Sequence, residues 1–277
     1  MKIFISVDAE GLCGISSWHE TDEKDVNFNR FRKLATREVN AVCSVIRRRF
    51  PNSRILVCDS HSSGENILIE DLIPDIELVK GFPRPYYMME GLASSYDGVF
   101  LLGYHSRIGL EKGGMDHSYS SSSIYSIRIN GLEMGEVDLN GVLAGYYGVP
   151  VVLISGDNIL GNEVKQRYKD IVYVTVKEGI SRFSSKSYPL NKVYSSLETG
   201  TEQALSRLKK IRPIYIKPPY KIEISMNTTI QADIVSFLPG MKRKDGRTIL
   251  FTSKDYREFY RLLMAIILLA STAKTMG

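Results

Sequence analysis

Apolar residues follow two rhythms along this chain. Short unbroken runs appear first: Lys2 to Val7 ends on Asp8, Arg54 to Cys58 on Asp59, and Gly98 to Leu102 on Gly103. Compact β-rich runs bounded by polar or turn residues predict buried strands. Between the first two runs, Phe28, Phe31, Ala35, Val39, Val42 and Ile46 recur every three or four positions, which predicts a long amphipathic helix. Arg30, Lys33, Arg37 and Arg48 fall on its other faces. Ile124 to Ile129 followed by Asn130-Gly131 carries a hairpin signal. A further helix begins near Asp138, and Val149 to Ser155 reads as another buried strand. Strands alternating with helices predict an α/β fold with a mostly parallel sheet flanked by helices.

The last third changes character. A helical stretch over 190–211 is followed by Pro213 and the pair Pro218-Pro219. Lys221 to Ser225 and Arg247 to Ser253 then read as strands, and a helix from Asp255 to about Lys274 closes the chain. We expect an α/β domain over residues 1–187, carrying the chemistry described below, and a smaller C-terminal α+β domain over 188–277.

Composition narrows the class. The 277 residues are 43% hydrophobic and 24% charged, values of an ordinary globular protein with a sizeable core. The net charge of +5 is mild, and Arg47-Arg48-Arg49 and Lys209-Lys210 are too short for a nucleic-acid stripe, so no nucleic-acid partner is expected. Cys13, Cys43 and Cys58 form no disulfide framework. The longest apolar run, Leu262 to Ala270, is too short to span a bilayer, and no signal-peptide pattern follows Met1. A cytoplasmic location with no membrane partner is the expectation. Neither a Walker A sequence nor a Gly-x-Gly-x-x-Gly fingerprint is present, which argues against nucleotide cofactors. No Gly-x-Ser-x-Gly elbow accompanies the serines at 118–123.

The chemistry-bearing residues gather at strand ends. Asp8 and Glu10 follow the first strand, and two of only four histidines, His61 and His105, follow the second and third apolar runs. Open α/β sheets bind ligands beyond the carboxyl ends of their strands, so these side chains converge on one edge. Mixed imidazole and carboxylate donors suit zinc or another first-row divalent ion. An aspartate can bridge a pair of ions, which in aminopeptidases and phosphatases lie about 3.5–4 Å apart. His117 sits in the glycine-led loop Gly113-Gly114-Met115-Asp116-His117, either exposed or acting beside the metals as acid, base or nucleophile. His19 lacks a strand-end context and reads as surface.

Several segments resemble the DppA-type D-aminopeptidases, the zinc peptidases of clan M55. They are Ser6-Val-Asp8-Ala-Glu10-Gly11, Asp59-Ser-His61-Ser, Gly103-Tyr-His105, His117-Ser, Gly135-Glu136-Val-Asp-Leu-Asn140, Ser155-Gly-Asp157 and Leu238-Pro-Gly240. The resemblance runs in order through almost the whole chain. It implies metal ligation by Asp8, Glu10, His61, His105 and Glu136, two zinc ions per subunit with Asp8 as the bridge, and a catalytic role for His117. It further implies removal of N-terminal residues, notably D-amino acids, from short peptides, by a homo-oligomer that is a ring-shaped homodecamer. Asp116 departs from the small polar residue expected before His117, and would either raise the basicity of that histidine or face solvent. Two other readings compete: a two-metal phosphatase or phosphodiesterase, for which only Arg107 and Arg182 offer themselves as phosphate partners, and a non-catalytic, metal-stabilised assembly protein.

Overall fold

In the computed structural model, which describes residues 1–275, the chain forms two sheets and six α-helices. It opens with β1 (Lys2–Val7), passes through α1 (Phe28–Arg49), and returns in β2 (Arg54–Asp59), β3 (Ile76–Val79) and β4 (Gly98–Tyr104). A hairpin, β5 (Ile124–Ile129) and β6 (Leu132–Met134), precedes α2 (Glu136–Tyr146). Then come β7 (Val151–Asp157), α3 (Asn158–Arg167), β8 (Val172–Ser181), β9 (Ser184–Ser187) and α4 (Leu190–Arg207). The remainder is β10 (Tyr220–Met226), α5 (Thr229–Val235), β11 (Lys242–Arg243), β12 (Thr248–Ser253) and α6 (Tyr256–Ser271).

The larger sheet has the order β3-β2-β1-β4-β7-β8-β9, parallel throughout except for the β8–β9 edge pair. Its central strands are buried on both faces, as their unbroken apolar runs require: β4 and β7 have no exposed residue. Helices α1 and α4 pack on each other, and α3 and α4 cover β7 and β8. The chain runs outward from β1 to β3 and then crosses to β4 on the other side of β1. That reversal is a topological switch point, where two loops diverge and leave a crevice.

The smaller sheet is antiparallel, β11-β12-β10-β5-β6. It takes β5 and β6 from the middle of the chain and the rest from beyond residue 219. Asn130 and Gly131 both adopt positive φ, 52° and 82°, the geometry of a tight two-residue hairpin turn. The apolar run Leu262 to Ala270 lies within α6, where Leu263, Met264, Ile266 and Ala270 are buried and Leu268 is exposed. Among the described residues, no helix is long and apolar enough to cross a membrane.

Candidate metal centre

The strand ends at the switch point are tied to each other through backbone. The Asp8 amide donates to the Leu102 carbonyl at 2.8 Å, the Ser60 amide to Val7 at 2.8 Å, and the Gly11 amide to Gly103 at 2.7 Å. The loops after β1 and β4 approach so closely that a Cβ on Gly11 would collide with the Tyr104 carbonyl oxygen. Gly103 has φ +69° and meets the Asp8 carbonyl in the same way, so both positions require glycine.

These ties bring Asp8, Glu10, His61, His105, His117 and Glu136 to one place. His61 Nδ1 lies 3.4 Å from Asp8 Oδ1 and 3.1 Å from Glu10 Oε2. His105 Nε2 lies 3.6 Å from Asp8 Oδ2 and 3.3 Å from Glu136 Oε1. The two oxygens of Asp8 therefore face two different histidines. Glu136 enters as the first residue of α2, and the Tyr119 amide donates to its Oε1 at 2.7 Å. His117 Nε2 is 3.5 Å from the same Glu136 oxygen, and its ring stacks on that of His105 at 4.2 Å and 6°. Two sets of donor atoms are close enough to share an ion: Asp8, Glu10 and His105, and His105, His117 and Glu136.

Electrostatics explain why such a cluster calls for cations. Burial, and then Glu10 alongside, push the Asp8 carboxyl up to about 7. Burial opposes a charged His105, yet Glu136, Glu10 and Asp8 outweigh it and hold that imidazole at about 10. His61 is likewise driven well above the ordinary histidine value by Glu10 and Asp8, against its burial. Burial disfavours charge on Glu10 and Glu136 too, but His61 and His105 respectively hold these carboxyls below their usual range. Asp8 Oδ2, Glu10 Oε2 and His105 Nε2 are buried and accept or donate no hydrogen bond. Unpartnered buried donor atoms of this kind are the set that a divalent ion would satisfy. His105 Nδ1 lies 2.8 Å from the Ser106 carbonyl oxygen, which directs Nε2 inward, as in metal-ligating histidines.

His117 differs from the other two histidines. Burial, with His105 next to it, lowers its pKa below the ordinary value. Nδ1 is 3.0 Å from the Met115 carbonyl oxygen, so a neutral ring carries its proton there and leaves Nε2 as a free base. The loop is unusual in its backbone: Lys112, Met115 and Tyr119 all have positive φ. It is held by the Met115 amide donating to Arg182 at 2.7 Å. Asp116 neither faces solvent nor touches the imidazole. Its carboxylate pairs with Arg182 Nε at 2.9 Å and accepts the Gly109 amide at 2.7 Å, while Arg182 spreads over the Trp18 ring.

The residues open onto a cavity of about 380 Å³ whose walls include Trp18, Phe28, Tyr87 and Tyr119. Its lining includes the carboxylates of Asp8, Glu10, Asp22, Glu23 and Glu136, and neither lysine nor arginine. Arg107 is bound to Glu163 at 2.7 Å and Glu133 at 3.0 Å, so both arginines that could have met a phosphate are occupied elsewhere. His19 is exposed, as its sequence context suggests. Lys177 shows nothing in the sequence beyond a charge beside Glu178 at the end of an apolar run. It is fully buried, and its Nζ donates to the Glu10 carbonyl and, at 2.5 Å, to that of Ile15, pinning the loop that carries Asp8 and Glu10.

A family model described as D-aminopeptidase, of the M55 peptidases, matches residues 1–265. The chain belongs to that family. It is accordingly a hydrolase of the metallo-aminopeptidase kind. A curated D-aminopeptidase from Bacillus subtilis (strain 168) is 33% identical over 276 residues, covering 98% of each chain. A solved structure, described as Zn-dependent D-aminopeptidase DppA from Bacillus subtilis, a self-compartmentalizing protease, superposes with a TM-score of 0.94. It is 32% identical and 98% of each chain is covered. The mostly parallel sheet flanked by helices is thus the fold of this family.

Proposed function

We propose that this M55 member is a zinc aminopeptidase that removes an N-terminal D-amino acid from short peptides. In this reading Asp8, Glu10, His61, His105 and Glu136 hold two ions, with Asp8 shared between them. The observation that carries it is the orientation of Asp8, whose two buried carboxylate oxygens face His61 on one side and His105 on the other. The zinc dependence of the B. subtilis relative supports the identity of the metal. Bound divalent ions would supply Lewis acidity at a carbonyl oxygen and an acidified water.

The chain's own groups do the rest. His117 Nε2, unprotonated near neutral pH and directed at the site, takes up a proton and returns it to the leaving amine. Trp18 meets the His117 ring edge-on at 6.1 Å and, with Phe28 and Tyr87, gives the largely polar cavity an apolar part of its wall. Asp22 and Glu23 at its rim, with neither lysine nor arginine in the lining, favour a peptide's ammonium end over its carboxylate. The same lack of lysine and arginine, and the commitment of Arg107 and Arg182, weigh against a phosphate substrate. The test is a matched series of D- and L-aminoacyl di- and tripeptides with zinc-loaded enzyme, run beside phosphate esters. Release of the N-terminal residue from the D series is expected. Preference for the L series would refute the stereochemical part, and turnover of the esters alone would refute the whole reading.

A further inference from the structure

Beneath the site lies a closed hydrogen-bonded layer made of residues that the chemistry above does not use. Asn140 Nδ2, which can only donate, gives its proton to the Tyr104 hydroxyl at 2.8 Å. The Tyr104 proton is then free for Ser6 Oγ at 2.6 Å, and Ser6 can donate to the Met88 carbonyl at 2.9 Å. Ser60 Oγ lies 2.7 Å from Ser6 Oγ and donates to the Cys58 or Met88 carbonyl, each at 3.0 Å. On the other side, Asn140 Oδ1 and the hydroxyls of Tyr119 and Tyr260 form a close triangle, with the Tyr260 oxygen 2.6 Å from each of the other two, and the two phenolic protons serve two of its three edges. Ser6, Tyr104, Asn140 and Tyr260 are completely buried.

The membership of this layer is not that of a generic core. Ser6 precedes Asp8 by two residues on the same side of β1; Ser60 precedes His61; Tyr104 precedes His105. Asn140 stands one helical turn after Glu136 on α2, and Tyr119 follows His117 by two residues. Each segment that delivers a side chain to the centre therefore contributes a hydroxyl or an amide to the layer below. The exception is Tyr260, which comes from α6 and has no site residue near it in sequence.

Resting on the metal-site reading above, we infer that this layer sets the relative positions of the donor side chains, and that Tyr260 is a positioning residue through which the C-terminal helix holds the centre together. The route runs from Tyr260 to the Tyr119 hydroxyl and Asn140, and from both of these to Glu136: through the Tyr119 amide at 2.7 Å and through the shared helix α2. Removing the Tyr260 hydroxyl takes away one of these two protons and leaves the Tyr119 hydroxyl with Asn140 Oδ1 as its one partner in the triangle. The Tyr119 backbone then gains freedom where it fixes a Glu136 oxygen. Partners behind metal ligands typically change metal affinity or activity by about 10–100-fold.

The experiment uses zinc-loaded full-length protein and three variants, Tyr260→Phe, Tyr119→Phe and their double, all of which keep the aromatic rings. Zinc transfer to a colorimetric chelator is timed, and kcat, KM and the thermal midpoint are measured on the same samples. Each single variant is expected to release zinc about tenfold faster and to lose kcat with little change in KM. The double is expected to lose no more than about the worse single, because both hydroxyls act through one cluster. If Tyr260→Phe lowers the thermal midpoint yet releases zinc at the wild-type rate, Tyr260 serves packing alone and the inference fails. Additive effects in the double would equally overturn the shared route. A wild-type protein that holds no zinc would overturn the reading of the site itself, and that outcome is visible before any variant is made.

Discussion

Asp8 combines two features at the centre: its oxygens are split between the two histidines, and its carboxyl is pushed up by burial and by Glu10, whereas those of Glu10 and Glu136 are held down. Two four-coordinate ions that each keep one position for water need six protein ligands, one more than these five, and a shared aspartate makes up the shortfall. Substituting Asp8→Ala should therefore lose both ions, whereas His61→Ala should weaken mainly one. Metal analysis that finds two ions per chain in the Asp8 variant would disprove the bridge. His117 is predicted to behave in the opposite way. His117→Ala should lower kcat by at least about 10²-fold while retaining metal, because the other five residues supply the donors. The closeness of its Nε2 to Glu136, and its grouping with His105, make the alternative concrete. Metal lost in proportion to activity would make His117 a ligand.

At the scale of elements, helix α1 contains an acid that its amphipathic pattern does not announce. Glu38 is buried, with one oxygen accepting the Cys13 amide at 2.9 Å and the other unpartnered. Burial pushes its carboxyl up to about 7, from an ordinary value of 4.5. The folded protein thus keeps this proton at pH values where the unfolded chain has released it. Stability contributed by the neutral form is lost as pH climbs from 4.5 to about 7 and stays lost above. Glu38→Gln, which preserves the acceptor for Cys13, should raise stability above pH 7 by on the order of 1–3 kcal/mol and leave it little changed near pH 4. Chemical denaturation at the two pH values checks this, and equal effects at both would refute it.

The same scale shows what a linear reading of the chain can reach. Strand ends at Asp8, His61 and His105 were legible because a parallel sheet buries both faces of its strands. Polarity then reappears abruptly where the chain emerges. The Asn130-Gly131 turn was legible because few residues tolerate positive φ in succession. Glu136 came only from family likeness, since nothing local marks the first residue of α2 as convergent with strands far away in sequence. Lys177, Tyr119 and Tyr260 were opaque for a related reason: their roles rest on partners 167, 17 and 120 residues distant. Asp116 resolved against both of its sequence readings, because the partner that captures it, Arg182, belongs to the β8–β9 turn.

For the whole molecule, the question is what covers the apolar side chains that this fold leaves outside. The Leu262–Ala270 run supplies Leu268 alone, but Phe237 is 81% exposed, Tyr215 70% and Leu132 60%. Large exposed apolar residues in one chain are ordinary when scattered and informative when an assembly is independently indicated. Here the solved relative is described as self-compartmentalizing. We propose that this chain also assembles, into a ring of ten, and that enclosure restricts what reaches a cavity of about 380 Å³. Two measurements bear on separate halves of this prediction. Light scattering at micromolar concentration should find a mass well above the 31.2 kDa of one chain, and a stable monomer would end the assembly argument. Short peptides should be processed while a folded protein with an accessible N-terminus is left intact for many turnovers. Digestion of both at similar rates would leave an oligomer whose sites are open, because neither the cavity nor the assembly would then select by size.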